Sequence, residues 1–318
     1  MTGNVATTNN GFFPDDSCQG RCDSPLDKSK TCQCNSACVN YNDCCWDYST
    51  LCLKGSSPQT CQDFDDVTSQ LWSTDADRLP TDAVRVNYQA DMGYTTFADK
   101  ASQKLFSYVD QTRLTSQMYS TYMALLNNYD PDKYDLETVT SHEKQEEEAF
   151  LDAILSTRPL AILYEFLLCK NKVQDKSDMR TLLRRLWFEV YSRGSGSSVH
   201  DTSGFEHVMV GEYKSFDTVS GLHYWLAFYE KELRGQINYY GRTCRTQTNT
   251  ACVAFEWDNR TKKTSSFFLR SSPAFDIAIY TLCFIMYPDA DCPVVIDGSN
   301  LKLQTYSKDG HVATVYIK

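Results

Sequence analysis

Histidine is scarce in this chain: five residues in 318, none before His142. That scarcity argues against a zinc module in the first half, where paired C-x2-C knuckles with Cys or His partners would be needed. Long apolar runs are absent too, so no segment reads as a membrane-spanning helix. Positive charge is in short supply, with 31 Lys and Arg against 41 Asp and Glu and a formal net charge of −10. Such a balance opposes bulk attraction to nucleic acid; a polyanion would have to be held by a local cationic cluster or a bridging metal. There is no G-x-S-x-G elbow, which removes the serine-hydrolase reading. Neither an internal repeat nor a low-complexity segment is present. The opening "MTGNVATTNNGFF" lacks the basic-then-apolar pattern of a secretory signal.

Cysteine, by contrast, is plentiful. Of 14 in the chain, eight crowd between Cys18 and Cys52: Cys18, Cys22, Cys32, Cys34, Cys38, Cys44, Cys45 and Cys52. Almost nothing apolar lies between them, so cross-links rather than a core must stabilise the segment. A reducing cytosol rarely hosts this density except as a metal site, and the adjacent Cys44-Cys45 pair makes poor knuckle geometry. A secreted, extracellular protein is expected, its signal already removed. Spacing alone leaves the connectivity open. The spacing, with "CQC" and "YNDCCWDY", resembles the somatomedin B domain. That resemblance implies bridges Cys18–Cys34, Cys22–Cys52, Cys32–Cys45 and Cys38–Cys44, and a protein partner for the module. No Arg-Gly-Asp follows, so integrin binding is not implied.

After the polar stretch "LKGSSPQT" the chain changes character. "QDFDDVTSQLWSTDADRL", "ADKASQKLFSYVDQ" and "TSQMYSTYMALLNNY" carry apolar residues at helical intervals. "EKQEEEAFLDAILSTRPLAILYEFLLCKN" reads as two helices bent at Pro159. In "DMRTLLRRLWFEVYSR" Asp178 is a cap candidate, and Leu182, Leu183, Leu186 and Val190 form the stripe. The acidic run Glu146–Glu148 reads as a solvated helix face. The loop "RGSGSSVHDTSG" then gives way to strand-like runs: "FEHVMVGE", "VAFEWD", "TSSFFLR", "LKLQTY" and "HVATVYI". One helix intervenes in "PAFDIAIYTLCFI", with Pro273 in its first turn. Helices first and twisted antiparallel strands afterwards give an α+β class. The expected organisation is a tail (1–17), a somatomedin B module (18–52), a linker (53–60) and a larger domain (61–318).

Two histidines fall sixteen residues apart, His207 in "GFEHVMVGE" and His223 in "GLHYW". Near neutral pH one imidazole can take a proton while a second supplies one. A lysine beside them would stabilise a developing phosphorane. Singly, each histidine could equally be a structural one, and His142 and His200 read as surface residues. These segments, with "WDNRTKKTSSFFLRSSPAFDIAIYTLCF", "LFSYVD", "EEAFLDAIL" and "LWFEVY", closely resemble the EndoU family of uridylate-preferring endoribonucleases, which includes somatomedin B-bearing members. The resemblance implies that His207, His223 and Lys262 are catalytic, with the neighbouring Lys263 one register slip away. It implies supporting roles for Glu206 and Glu212, whose alternative is that of surface carboxylates.

The ending "KDGHVATVYIK" is similar to that of the coronavirus uridylate-specific endoribonuclease. It places Thr314 and Tyr316 as substrate-binding residues, and strand alternation puts both on one face. Ser266 is implied as the uracil-discriminating hydroxyl; in an extended segment it shares a face with Lys262 and Thr264. His311 reads as structural. The expected reaction on single-stranded RNA is attack by the uridylate 2′-hydroxyl, leaving a 2′,3′-cyclic phosphate and a 5′-hydroxyl. His223 is the expected base and His207 the acid. Relatives imply Mn2+ or Ca2+ as activator, with none required for the chemistry, and no carboxylate cluster has ligand spacing. A different class of function, a secreted binding protein with degraded chemistry, competes. The sequon at Asn259 would put a glycan near Lys262. Among the remaining cysteines, Cys61, Cys169, Cys244, Cys252, Cys283 and Cys292, the pairs Cys244–Cys252 and Cys283–Cys292 are close in sequence, while Cys283 could instead be a buried thiol.

Overall fold

The computed structural model describes residues 18, 20–30, 32–41, 43–45, 48, 52, 61–93, 97–132, 139–193, 201–245 and 249–318. The expected tail at 1–17, the linker at 53–60, and His200 with most of its glycine-rich loop lie outside them.

In the N-terminal module the bridges are Cys18–Cys34, Cys22–Cys52, Cys32–Cys45 and Cys38–Cys44, the pairings that the resemblance implies. The buried cluster here is cystine itself, Cys18, Cys34, Cys38 and Cys45 with Tyr48, as expected of a segment with too little apolar surface for a core.

The larger domain begins with helices that start where side chains can cap them. Asp63 accepts from the Asp65 amide ahead of helix Phe64–Ser73. Thr140 and Glu143 form a reciprocal capping box before Ser141–Leu155. The next helix, Arg158–Cys169, has Pro159 in its first turn. Helix Lys176–Trp187 is capped by Asp175 and not by Asp178, which sits three residues inside and donates its amide to Asp175. The acidic run is not simply solvated: Glu148 pairs with Arg180 and Arg184, and Glu147 is buried, its carboxyl pushed up to about 7 by desolvation.

Other expectations of local structure fail as well: Val190, read as part of the helical stripe, lies beyond the helix that ends at Trp187. "ADKASQKLFSYVDQ" holds no α-helix: β1 (Val84–Val86) pairs antiparallel with β2 (Phe106–Val109). The buried carboxylate of Glu232 accepts the amides of Leu105 and Phe106 at 2.5 and 3.0 Å, a tertiary contact that overrides local periodicity. The last failure matters more. "FEHVMV" is no strand; Glu206–Val210 is a π-helical turn closed by the Gly211 amide on the Glu206 carbonyl at 2.7 Å. Every residue in it is buried, and a run buried on all sides carries no period to read.

The remaining strands are β3 (Glu212–Ser215), β4 (Thr218–Ser220), β5 (Ile237–Arg242), β6 (Thr250–Trp257), β7 (Arg260–Phe268), β8 (Asp291–Ile296), β9 (Ser299–Lys308) and β10 (His311–Ile317). They form a five-stranded sheet in the order β3-β4-β7-β6-β5 and a three-stranded sheet in the order β10-β9-β8. Pairing is antiparallel throughout these two sheets except for a parallel contact of β4 with β7. Helix Pro273–Met286, capped by Ser272, lies buried along nearly its whole length. One continuous core joins it to the other helices and both larger sheets. Three further disulfides, Cys61–Cys169, Cys244–Cys252 and Cys283–Cys292, tie these elements, so Cys283 is not a free thiol.

Candidate active site

The π turn explains why two histidines distant in sequence meet. Its unusual winding leaves the His207 and Val208 carbonyls to accept the amides of Leu222 and His223 at 2.9 and 2.7 Å. Gly221 makes this possible. It has φ +64°, and a Cβ there would lie 1.8 Å from the His207 carbonyl oxygen. From behind, the Tyr280 hydroxyl donates to the His223 carbonyl at 3.1 Å. The next two side chains, Tyr224 and Trp225, both donate to the Ser271 carbonyl. The two imidazole rings end 6.2 Å apart, centroid to centroid.

They share a cavity of about 490 Å³ lined by Arg193, Ser220, Lys262, Ser265, Ser266, Thr314 and Tyr316, among others. The segment carrying Lys262, Thr264 and Ser266 is extended, and all three line the cavity. A register shift opposite Val253–Phe255 breaks strict alternation in that strand pair, and Ser265 lines the cavity as well. On β10, Val312 and Val315 are both fully buried while Thr314 and Tyr316 reach the cavity. His311 is elsewhere, stacked on Tyr191 and bonded through Nδ1 to the Arg185 carbonyl. His142 is exposed beside Glu146.

Each imidazole is oriented differently. His207 Nδ1 lies 2.8 Å from Glu212 Oε1, and Glu212 also accepts from Thr202 Oγ1 at 2.7 Å and faces Arg193 Nε at 3.2 Å. Both Glu206 and Glu212 are fully buried, so the surface-carboxylate alternative fails. His223 Nδ1 faces the Ser266 carbonyl at 3.1 Å; a carbonyl only accepts, so this nitrogen carries the proton and Nε2 is left with its lone pair. The Tyr316 ring stacks on His223, 5.4 Å between centroids. Ser266 Oγ donates to the Ile317 carbonyl at 2.5 Å, while the buried Thr314 hydroxyl has no hydrogen-bond partner among the described residues.

Burial controls the charges. Desolvation, with Arg193 and Lys262 nearby, lowers His207 to about 4 despite the opposing pull of Glu212. His223 is pushed well below its ordinary range by burial, then by Lys262 and His207. Lys262 falls to about 8, chiefly through desolvation. Glu212 is held down near 2 by His207 and Arg193, which outweigh its own burial. Arg193 is the residue that sequence reading missed. It is the first residue of the glycine-rich loop, outside any periodic element, and only the fold shows that it borders the cavity.

Two buried imidazoles, one of them backed by a carboxylate, and a half-buried ammonium around one cavity, carried on an α+β fold, are the groups that general acid–base chemistry requires. The chain belongs to the XendoU family of endoribonucleases: the family model described as "Endoribonuclease XendoU" matches residues 63–317, and that of the somatomedin B domain matches 16–55. It is 31% identical over 326 residues to a uridylate-specific endoribonuclease of Bos taurus, covering 96% of this chain and 78% of that protein. To one of Paralichthys olivaceus it is 34% identical, covering 92% and 89%. The solved structure of XendoU, described as a splicing-independent snoRNA-processing endoribonuclease, superposes with a TM-score of 0.68 at 30% identity, over 81% of this chain and 97% of that one.

Proposed function

We propose that this endoribonuclease cuts single-stranded RNA after uridylates by intramolecular transesterification. The observation that carries the proposal is the different backing of the two Nδ1 atoms, a neutral carbonyl behind His223 and a carboxylate behind His207. His223, its Nδ1 proton engaged by the Ser266 carbonyl, offers Nε2 to the uridylate 2′-hydroxyl. His207, backed by Glu212, is the ring whose protonated form has an adjacent counter-charge, so it protonates the leaving 5′-oxygen. An anionic phosphate entering the cavity offsets the burial that keeps His207 neutral without substrate. Lys262 stabilises the phosphorane. The products are a 2′,3′-cyclic phosphate and a 5′-hydroxyl.

Uracil selection follows from Ser266. Its proton is spent on the Ile317 carbonyl, so towards the cavity it can accept from the uracil N3–H but cannot donate to the bare N3 of cytosine. Tyr316 supplies a ring for the base and Thr314 an uncommitted hydroxyl. Among the described residues, the side chains that gather three candidate metal-ligand atoms are Cys18, Cys34 and Cys45, all in disulfides, so they do not fit the manganese or calcium that relatives imply. No step is therefore routed through a metal. EDTA followed by add-back of each ion measures any dependence. Secretion is part of the reading, supported by seven disulfides and no free cysteine. The module's role as a protein-docking element belongs to it as well.

The test compares the chain with its His207→Ala and His223→Ala forms on uridine-containing RNA, with 2′-deoxyuridine at the cut site as control. Cutting of the deoxy substrate, or equal digestion by all three proteins, overturns the mechanism.

A further inference from the structure

Phe216 is the most exposed large apolar side chain among the described residues, at 86%. It occupies the two-residue turn between β3 and β4, and that turn is firmly held. Asp217 Oδ1 accepts from Ser215 Oγ at 2.7 Å and from Thr218 Oγ1 at 2.9 Å. The Asp217 carbonyl accepts the Thr261 amide of β7 at 2.8 Å, and Thr218 pairs with Thr261. An aromatic ring is thus presented to solvent on a rigid tip, one strand away from the residue preceding Lys262.

Its surroundings suit a polyanion. Lys214, two residues earlier, is exposed, and its ammonium is close enough to depress Lys262. Two exposed carboxylates lie nearby, Asp217 bonded within its own turn and Asp258 to the Tyr213 hydroxyl at 2.7 Å. In a chain of net charge −10, an exposed ring two residues from an exposed lysine, on a turn tied to the residue before Lys262, favours RNA over a second copy of an acidic protein.

The strand direction gives the polarity. Because β4 runs parallel to β7, β7 passes from the turn beside Phe216, through Lys262, to Ser266. Phe216 and the proposed uracil contact therefore lie on opposite sides of Lys262. The scissile phosphate is 3′ to the uridine, so chain leaving it away from the uracil is 3′ chain. We propose that Phe216, with Lys214, forms a stacking subsite for a nucleobase 3′ to the cleaved bond. This rests on the placement of uracil proposed above.

The test uses binding and needs no cleavage. Fluorescence anisotropy is measured on two labelled oligonucleotides carrying one 2′-deoxyuridine, extended either on its 3′ or on its 5′ side. Phe216→Ala should weaken the 3′-extended ligand roughly 5- to 150-fold, the range of one lost base stack, and leave the 5′-extended one within about 2-fold. Phe216→Trp should restore affinity. Unchanged affinity for the 3′-extended ligand, equal weakening of both, or altered sedimentation of the protein alone overturns the subsite. If the unmodified chain fails to cut ordinary RNA yet shows the 3′-specific loss, the subsite stands and the proposed reaction falls.

Discussion

His207 Nδ1 and Glu212 Oε1 meet at 2.8 Å, five residues apart in sequence and on either side of the π turn's closing bond. That contact opposes, without overcoming, the burial that keeps His207 neutral near pH 7. Glu212→Gln removes the counter-charge, so the imidazolium becomes harder to form. An acid catalyst works in its protonated form; the alkaline limb of the kcat–pH profile should therefore move to lower pH, and kcat at neutral pH should fall by about 100-fold. An unmoved limb would mean that Glu212 only fills space.

Gly221→Ala tests the backbone side of the same arrangement. The added methyl would meet the His207 carbonyl at 1.8 Å in a residue that also holds positive φ. Gly235→Ala is the control, with φ +73° and nothing within 4 Å, so it should lose only about 1 kcal/mol of strain energy and no activity. Gly221→Ala should lose at least ~100-fold in kcat/KM, because small displacements of a reacting group are that costly. Paired chemical denaturation and cleavage assays separate the two substitutions.

Lys262 should behave as an amine with a pKa of about 8 in the unliganded protein. A lysine is cationic below its pKa, so its contribution is present at pH 7 and is lost as pH rises through about 8. Lys262→Arg keeps its charge across that window. The ratio of kcat/KM for the unmodified enzyme to that for Lys262→Arg should thus fall between pH 7 and 9, a comparison in which the histidine titrations cancel. Lys262→Ala should cost about 1,000-fold, while Lys263→Ala, removing an exposed neighbour, should stay near the unmodified rate.

How much of this was legible in the sequence depends on whether local or distant contacts decided each residue. Helices Phe64–Ser73, Ser141–Leu155 and Pro273–Met286 begin at side-chain caps written into the sequence, and each could be read from it. Strand β2 could not, because Glu232, more than a hundred residues away, captures its leading amides. The π turn could not, because burial on every side erases periodicity. His207, His223 and Lys262 were nameable only through resemblance. The two histidines converge through backbone ties at Leu222 and His223 that no pattern in the chain announces. Arg193 stayed hidden for the same reason: its contacts, to Glu212 and to the Ala313 carbonyl, come from two distant elements.

Two disulfides outside the N-terminal module should separate stability from activity. Cys61–Cys169 closes a span of 108 residues, joining the start of the domain to the end of helix Arg158–Cys169, away from the cavity-lining set. On a chain-entropy estimate its loss costs about 5 kcal/mol, against about 2.5 kcal/mol for Cys244–Cys252 with its span of 8. Yet both sulfurs of the shorter bridge belong to cavity-lining residues, and Cys252 pairs across the sheet with Ser266. Replacing Cys61 and Cys169 by Ala should therefore lower the denaturation midpoint more, with kcat/KM unchanged while the protein stays folded. Replacing Cys244 and Cys252 should lower the midpoint less but weaken the preference for uridine over cytidine, since the strand that positions Ser266 loses its cross-link. If the long bridge proved the one that alters base preference, Ser266 could not be the discriminating hydroxyl.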